Sequence, residues 1–151
     1  MAELTEVRLL IGGQWRDGAE SADVLDKYRL VPYARLHIPS TEQVRLAVAG
    51  AQSAYERSTL TAYDRGAILD RAADLIELRS EQFIEVIRTE AGFTLTDSQG
   101  ELKRCIQTFR LSAEEARRLV GEMVPLEGAP QQGGRIGFTL PKPGEYAVGQ
   151  L

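Results

Sequence analysis

The first forty residues carry short apolar runs cut by turn residues, whereas from residue 40 onward apolar positions recur every third or fourth residue. Arg8-Leu9-Leu10-Ile11 is a β-prone run closed by Gly12-Gly13, and Gln14-Trp15-Arg16 resumes before Asp17-Gly18. Gly-Gly and Asp-Gly pairs supply the positive φ angles of tight hairpin turns, so this stretch reads as a hairpin. A second pair of strands is predicted at Ala22–Tyr28 and Tyr33–His37, with Pro32 marking a turn or edge position and Pro39 stopping the strand. So short a region has little room for a core of its own and is expected to lie against other elements.

The middle of the chain reads as helices. Ser40-Thr41-Glu42-Gln43 has the S-x-x-Q form of a capping box, and Val44, Ala47, Val48, Ala51 and Tyr55 follow as one apolar face. A second helix opens near Ala62 with Thr61 as its cap, running through Ile68, Leu69, Ala72, Ala73, Leu75 and Ile76. A break is expected near Arg79-Ser80, where Ser80 would cap a third helix that ends before Gly92. Ser98-Gln99-Gly100-Glu101 repeats the capping-box pattern. From there Leu102, Ile106, Phe109, Ala113, Ala116 and Val120 trace a long amphipathic helix ending at Gly121.

The tail changes character again. Glu127 to Gly134 is loop material, Arg135 to Leu140 a strand candidate, Pro141 to Gly144 a turn, and Tyr146 to Val148 the start of another strand. The reading is an α+β chain, mainly helical, with N-terminal β-hairpin arms, three to four amphipathic helices and short C-terminal strands. It divides into a strand arm over 1–39, a helical segment over 40–125 and a loop-and-strand segment over 126–151.

Composition narrows the function classes. The 151 residues hold 18 Lys+Arg against 22 Asp+Glu, a net charge of −4. A nucleic-acid partner normally selects a basic face, so none is expected. No apolar run approaches the roughly 18–20 residues of a membrane span, and Glu3, Glu6 and Arg8 rule against a secretory leader. A single cysteine excludes an internal disulfide and any multi-cysteine zinc site. A cytoplasmic protein is expected.

Residues that could carry chemistry each have a structural explanation. Cys105 lies near the edge of an apolar stripe, Arg104 beside it faces elsewhere on a helix, and the one histidine is far along the chain. Cys105 is therefore read as a small buried hydrophobe. His37, between Leu36 and Ile38 in a strand, lacks the partners of a metal site. Asp70 and Asp74, like Asp97 and Glu101, fall at i,i+4 and are expected to line a solvated face, while Glu114 and Arg118 form an i,i+4 ion pair. Gly133-Gly134-Arg135-Ile136-Gly137 has the glycines of a phosphate loop. A loop precedes it and a strand follows, where a dinucleotide site needs a strand before and a helix after.

The order of segments nevertheless resembles one family. Leu10-Ile11-Gly12-Gly13-Gln14-Trp15-Arg16-Asp17-Gly18 resembles the N-terminal strand and turn of NAD(P)-dependent aldehyde dehydrogenases, and Val44 to Tyr55 their first helix. Arg65 to Ile76 resembles the second, Glu90-Ala91-Gly92 the family's acid-x-Gly turn, and Gly100-Glu101 the step opening the next helix. Ala113 to Glu122 and Arg135 to Gly144 continue the likeness in the same order. Two positions depart from it: Phe93 stands where the family usually has Lys, and Arg29-Leu30-Val31 replaces a polar, Gly-containing turn.

The resemblance implies an incomplete part of an α/β dinucleotide-binding domain, an N-terminal segment of a protein about three times as long. In such a protein an aldehyde is oxidised to a carboxylic acid with NAD or NADP. The family's cofactor-binding sheet, nucleophilic cysteine, general-base glutamate and oxyanion-hole asparagine lie beyond the matched segment. The chain is therefore expected to hold no catalytic or cofactor-binding residue and to bind no cofactor alone. Some members hold a monovalent cation, and the matching positions are Val24, Leu25 and Glu90. Helical faces meant for a sheet would leave the chain marginal and association-prone, its partners being itself or a full-length homologue. The alternatives are a non-enzymatic oligomerisation module and an unrelated helical binding protein.

Overall fold

A computed structural model of the chain describes residues 4–126, 128, 130, 131, 133, 134 and 136–139. Its N-terminal part contains β1 (Thr5–Val7), β2 (Leu9–Ile11), β3 (Gln14–Arg16), β4 (Glu20–Leu25) and β5 (Pro32–Ile38). β2 and β3 form the expected hairpin, with Ile11 opposite Gln14. Gly12 and Gly13 have φ of 60° and 77°, the double positive φ that a two-residue turn of matching twist requires. The other three strands form a sheet in the order β1-β5-β4. β5 pairs antiparallel with β4 and parallel with β1, Thr5 lying opposite Ala34.

The predicted strand over Ala22–Tyr28 stops at Leu25, because Asp26 starts a turn. Its Oδ1 accepts the backbone N–H groups of Tyr28 at 2.9 Å and Arg29 at 2.8 Å, and its carbonyl accepts that of Leu30 at 2.8 Å. Pro32, which lacks an N–H, opens β5 opposite Leu25, and the register shifts between Val24 and Leu25. The turn forces Leu30 to φ 58°, a left-handed conformation that a side chain disfavours by about 1–2 kcal/mol. Leu30 is 70% exposed, so its side chain contributes little burial. Leu30→Gly is expected to stabilise the chain by about 0.5–1 kcal/mol after the added backbone entropy of glycine. Urea denaturation reads this directly, and a loss of stability would contradict the strain.

Four helices follow: α1 (Thr41–Glu56), α2 (Ala62–Leu78), α3 (Ser80–Ala91) and α4 (Leu95–Arg118). The boxes at Ser40 with Gln43 and at Thr61 with Asp64 are both formed, and Gly92 ends α3 at φ 72°. Three expectations are corrected. Ser80 is the first residue of α3 rather than its cap. Arg79 closes α2 and opens α3 at once without a side-chain cap bond, and the Ser80 hydroxyl turns back to the Glu77 carbonyl. α4 begins one turn earlier than Ser98, because Thr94 Oγ1 accepts the Asp97 N–H at 3.2 Å. Ser98 is then buried inside the helix, donating to the Thr94 carbonyl at 2.8 Å. The helix also stops at Arg118 rather than at Gly121, with Leu119 already extended.

The chain ends its described part in an antiparallel pair, β6 (Met123–Pro125) with β7 (Ile136–Phe138). β6 has no counterpart among the predicted elements. The turn at 141–144 and the strand at 146–148 lie outside the described residues.

Burial is concentrated where α2 crosses α4. Ala73 and Ala113 are fully shielded there, and Gly66, Leu102 and Ala116 are buried with them. Small residues let the two backbones approach closely, as ridges seat into grooves. The largest wholly buried side chain among the described residues is Ser98, whereas Ile68, Leu78, Leu111, Leu119 and Ile136 are exposed. α1 lies against β2 and buries none of its residues. Among the described residues no helix is long and apolar enough to cross a membrane.

Candidate functional site

The turn after β4 meets the C-terminal end of α3. Asp26 is pinned by the amide bonds described above, and the Lys27 N–H donates to the Thr89 carbonyl at 2.8 Å, fastening the turn to the helix. Glycine suits this position, since its φ is 72° and a Cβ on it would come 3.1 Å from Lys27 Cβ. This junction brings together the segments that carry Val24, Leu25 and Glu90: the first two end β4 and the third lies in the last turn of α3, all half-buried. Carbonyl and carboxylate oxygens are the donor types that hard cations take. The helix C-terminus adds partial negative charge. Among the described residues no group of three or more His, Cys, Asp or Glu could hold a metal ion.

Beside this junction an open cavity of about 210 Å³ lies between the Asp26–Arg29 turn and Glu85, Arg88 and Thr89 of α3. Its cations are already engaged, Arg88 with Glu85 at 3.1 Å and Arg29 with Asp26 at 3.9 Å. The Arg29 and Tyr28 amides and the Arg29 guanidinium hold the Asp26 carboxyl below the usual carboxylate range. Sequence reasoning missed this feature. The available signal was an Asp followed closely by backbone amides it can cap, an Asx turn.

The other candidates resolve into structural roles. Cys105 is exposed, not buried, because it lies on a side of α4 that no described element covers, while Leu102 is buried. Arg104 next to it is bound to Glu101. His37 is a linking residue within the strand region: its Nδ1 accepts the Gly18 N–H at 2.9 Å and its Nε2 lies 3.0 Å from a Glu6 oxygen. Asp70 and Asp74 do not simply line a solvated face. Asp70 binds Arg117 at 2.7 Å, and Arg110 bridges Glu77 at 2.9 Å and Asp74 at 3.2 Å, so acids on α2 clasp bases on α4. The hydrogen bonds to Glu77 and Asp74 raise the Arg110 pKa further. Asp97 serves the first turn of α4, and Arg118 pairs with Glu115 rather than with Glu114.

The glycine-rich segment does not form a strand-to-helix phosphate loop among the described residues. Such a site needs free amides where a strand turns into a helix. Here the first turns of α1, α2 and α4 are capped by Ser40, Thr61 and Thr94, and α3 follows another helix. Gly133 and Gly134 precede β7, whose Gly137 lies opposite Val124 in an antiparallel pair.

Comparison with known proteins supplies what these side chains leave open. The model of the aldehyde dehydrogenase family matches residues 15–143. The 3-sulfolactaldehyde dehydrogenase of Priestia aryabhattai is 40% identical over 146 residues, covering 95% of this chain and 30% of that protein. Among solved structures, aldehyde dehydrogenase 21 of Physcomitrella patens, in complex with the reaction product succinate, is similar at a TM-score of 0.82 and 26% identity. That match covers 91% of this chain and 29% of the other. The betaine aldehyde dehydrogenase of Staphylococcus aureus, in complex with NAD+, gives a TM-score of 0.75 at 25% identity over 82% of this chain and 25% of the other. The chain spans less than a third of the length of these relatives.

Proposed function

This chain belongs to the aldehyde dehydrogenase family, and from that premise we propose that it serves as the N-terminal scaffold of an enzyme oxidising an aldehyde to a carboxylic acid with NAD or NADP. The observation that carries this reading is a family match over residues 15–143 in a chain equal to 30% of a 40%-identical relative. The names of two relatives, one acting on 3-sulfolactaldehyde and one holding succinate as product, support a small aldehyde bearing a second, anionic group. The oxidation moves a hydride to the nicotinamide and adds the oxygen of water to the carbonyl carbon. That chemistry needs a nucleophile, a base and oxyanion donors. The exposed Cys105 on α4 is not that nucleophile, since its neighbouring cation is engaged by Glu101.

The role of the described residues in this scheme is structural. The α2–α4 pair, fixed by its Arg–carboxylate clasps, presents apolar residues such as Ile68 and Leu111 for the rest of the enzyme to cover. Association with a second copy or with a full-length homologue would cover the same residues. Val24, Leu25 and Glu90 would hold a monovalent cation that steadies the β4–α3 junction. A cytoplasmic location goes with the single free thiol.

Two assays test the proposal. Purified alone, the chain is expected to form no reduced nicotinamide from a sulfonated or carboxylated short aldehyde above the background without protein. Exchanged for the matched segment of 3-sulfolactaldehyde dehydrogenase, it is expected to yield an active chimera. Turnover by the chain alone, or a folded chimera without activity, would overturn the assignment.

A further inference from the structure

His37 is the one imidazole in the sequence, and it sits at a junction of four elements. Its Nδ1 accepts the Gly18 N–H at 2.9 Å, so that nitrogen carries a lone pair and the proton lies on Nε2, where it is donated to Glu6 Oε2 at 3.0 Å. Asp17 Oδ1 lies 3.9 Å from the same Nδ1. The Asp17–Gly18 corner is held from its other side by α1. Gln43 Nε2 donates to the Asp17 carbonyl at 2.8 Å, while Gln43 Oε1 accepts the Ser40 N–H at 2.9 Å within the cap of that helix. The corner also rests directly on the end of β5: a Cβ on Gly18 would come 2.4 Å from the Ile38 carbonyl oxygen. Hairpin, sheet and first helix therefore meet at two residues, held by the imidazole lone pair, Gln43 and Arg8 together.

Imidazole is the side chain whose charge changes between about pH 5 and 8. A proton added at Nδ1 would set one donor against another across the 2.9 Å contact with Gly18, and the Asp17 carboxylate at 3.9 Å is an acceptor for it. We propose that His37 is a proton-operated clasp, which when neutral holds the Gly18 amide and when protonated releases it and turns to Asp17, freeing the corner from β5. The charged groups around it fit both states. Glu6 on β1 binds Nε2 in either state and also lies 3.8 Å from Arg35, which is itself paired with Asp23 on β4 at 3.1 Å. Arg8 binds Asp17 at 2.7 Å and holds that carboxyl below the usual range, so it remains an acceptor throughout. The swing shares Asp17 between Arg8 and His37 and requires the corner to move, because Gly18 cannot move closer to Ile38.

The test follows the unmodified chain by nuclear magnetic resonance between about pH 5 and pH 8. The expected results are the Nε2–H tautomer at the high end and one shared midpoint for the His37 ring, the Gly18 amide and the Gln43 side-chain amide. Exchange of the Gly18 amide, corrected for its intrinsic pH dependence, should be about tenfold faster at the low end, the equivalent of one lost hydrogen bond. In His37→Gln, the pH dependence of Gly18 should vanish. An Nδ1–H tautomer at high pH, unchanged Gly18 protection, or a transition that survives in His37→Gln would each overturn the clasp.

Discussion

Gly66→Val is expected to lower the stability of the chain by about 3 kcal/mol, at the upper end of the usual cost of overpacking. For a chain of this size that corresponds to a fall in Tm of roughly 6–12 °C. Gly66 lies where α2 approaches α4 most closely. A Cβ on it would come 2.9 Å from the Ala113 carbonyl oxygen and 2.5 Å from Arg117 Nε. The carbonyl belongs to a helix and cannot turn aside. Arg117 could swing away only by giving up Asp70 at 2.7 Å, the Ala113 carbonyl at 3.3 Å and its place over the Tyr63 ring. Gly50 in α1 is the matching control, because nothing lies within 4 Å of an added Cβ there. Gly50→Ala should raise stability by up to about 1 kcal/mol through helix propensity alone. Thermal unfolding of both variants decides the matter, and equal Tm values would show that the two helices are not in close contact.

The second large effect concerns association rather than folding. The chain exposes apolar side chains on several elements, among them Ile68 at 55%, Leu78 at 80% and Leu111 at 61%. Among the described residues the wholly buried side chains are small. Exposed apolar surface on this scale drives self-association and binds apolar dyes. The purified chain is expected to show concentration-dependent association and strong dye fluorescence. Ile68→Lys, Leu78→Lys and Leu111→Lys together should suppress both. Each exchange should alter stability by no more than about 0.5 kcal/mol, since more than half of each residue replaced is already in water. Sedimentation velocity and dye titration measure the outcome. A triple variant that unfolds would show that these side chains are packed in the chain as it stands.

The elements that the sequence announces are those with local signals. Gly12-Gly13 encodes its own turn, Ser40 with Gln43 and Thr61 with Asp64 encode two helix starts, and Gly92 a helix stop. Each is satisfied within a few residues, so no distant partner is needed to read it. β1 escapes because three residues pair in parallel with a strand that begins twenty-five residues after its own end, and nothing near Thr5–Val7 reports that partner. α4 offered two starts a turn apart. Thr94 wins, and Ser98 is left to satisfy its hydroxyl inside the helix by bonding the Thr94 carbonyl. Periodicity marked Asp70 and Asp74 as polar positions on α2 but could not show that Arg110 and Arg117 of α4 would face them.

The candidate site was legible to different degrees. Val24, Leu25 and Glu90 were reached through the family likeness, since a carbonyl donor has no side-chain signature. The Asp26 turn beside them and the cavity behind it depend on how β4 meets α3, and only a folded chain displays that. As a metal ligand His37 lacks partners of its own type in the sequence. One of its partners, a backbone amide nineteen residues away, belongs to the wrong chemical class for a motif search to find.

The parallel pairing of β1 with β5 has a practical consequence for anyone preparing the protein. β5 has β4 on one side and only Thr5–Val7 on the other. Proteolytic clipping or a truncated clone starting at Arg8 would reduce the sheet to a two-stranded ribbon, which is marginal in water. It would also bare a row of amides and carbonyls along β5, a template for recruiting strands from other molecules. An affinity tag fused ahead of this region should therefore be separated from Thr5 by a spacer, and mass spectrometry of the intact front end should precede any judgement on solubility.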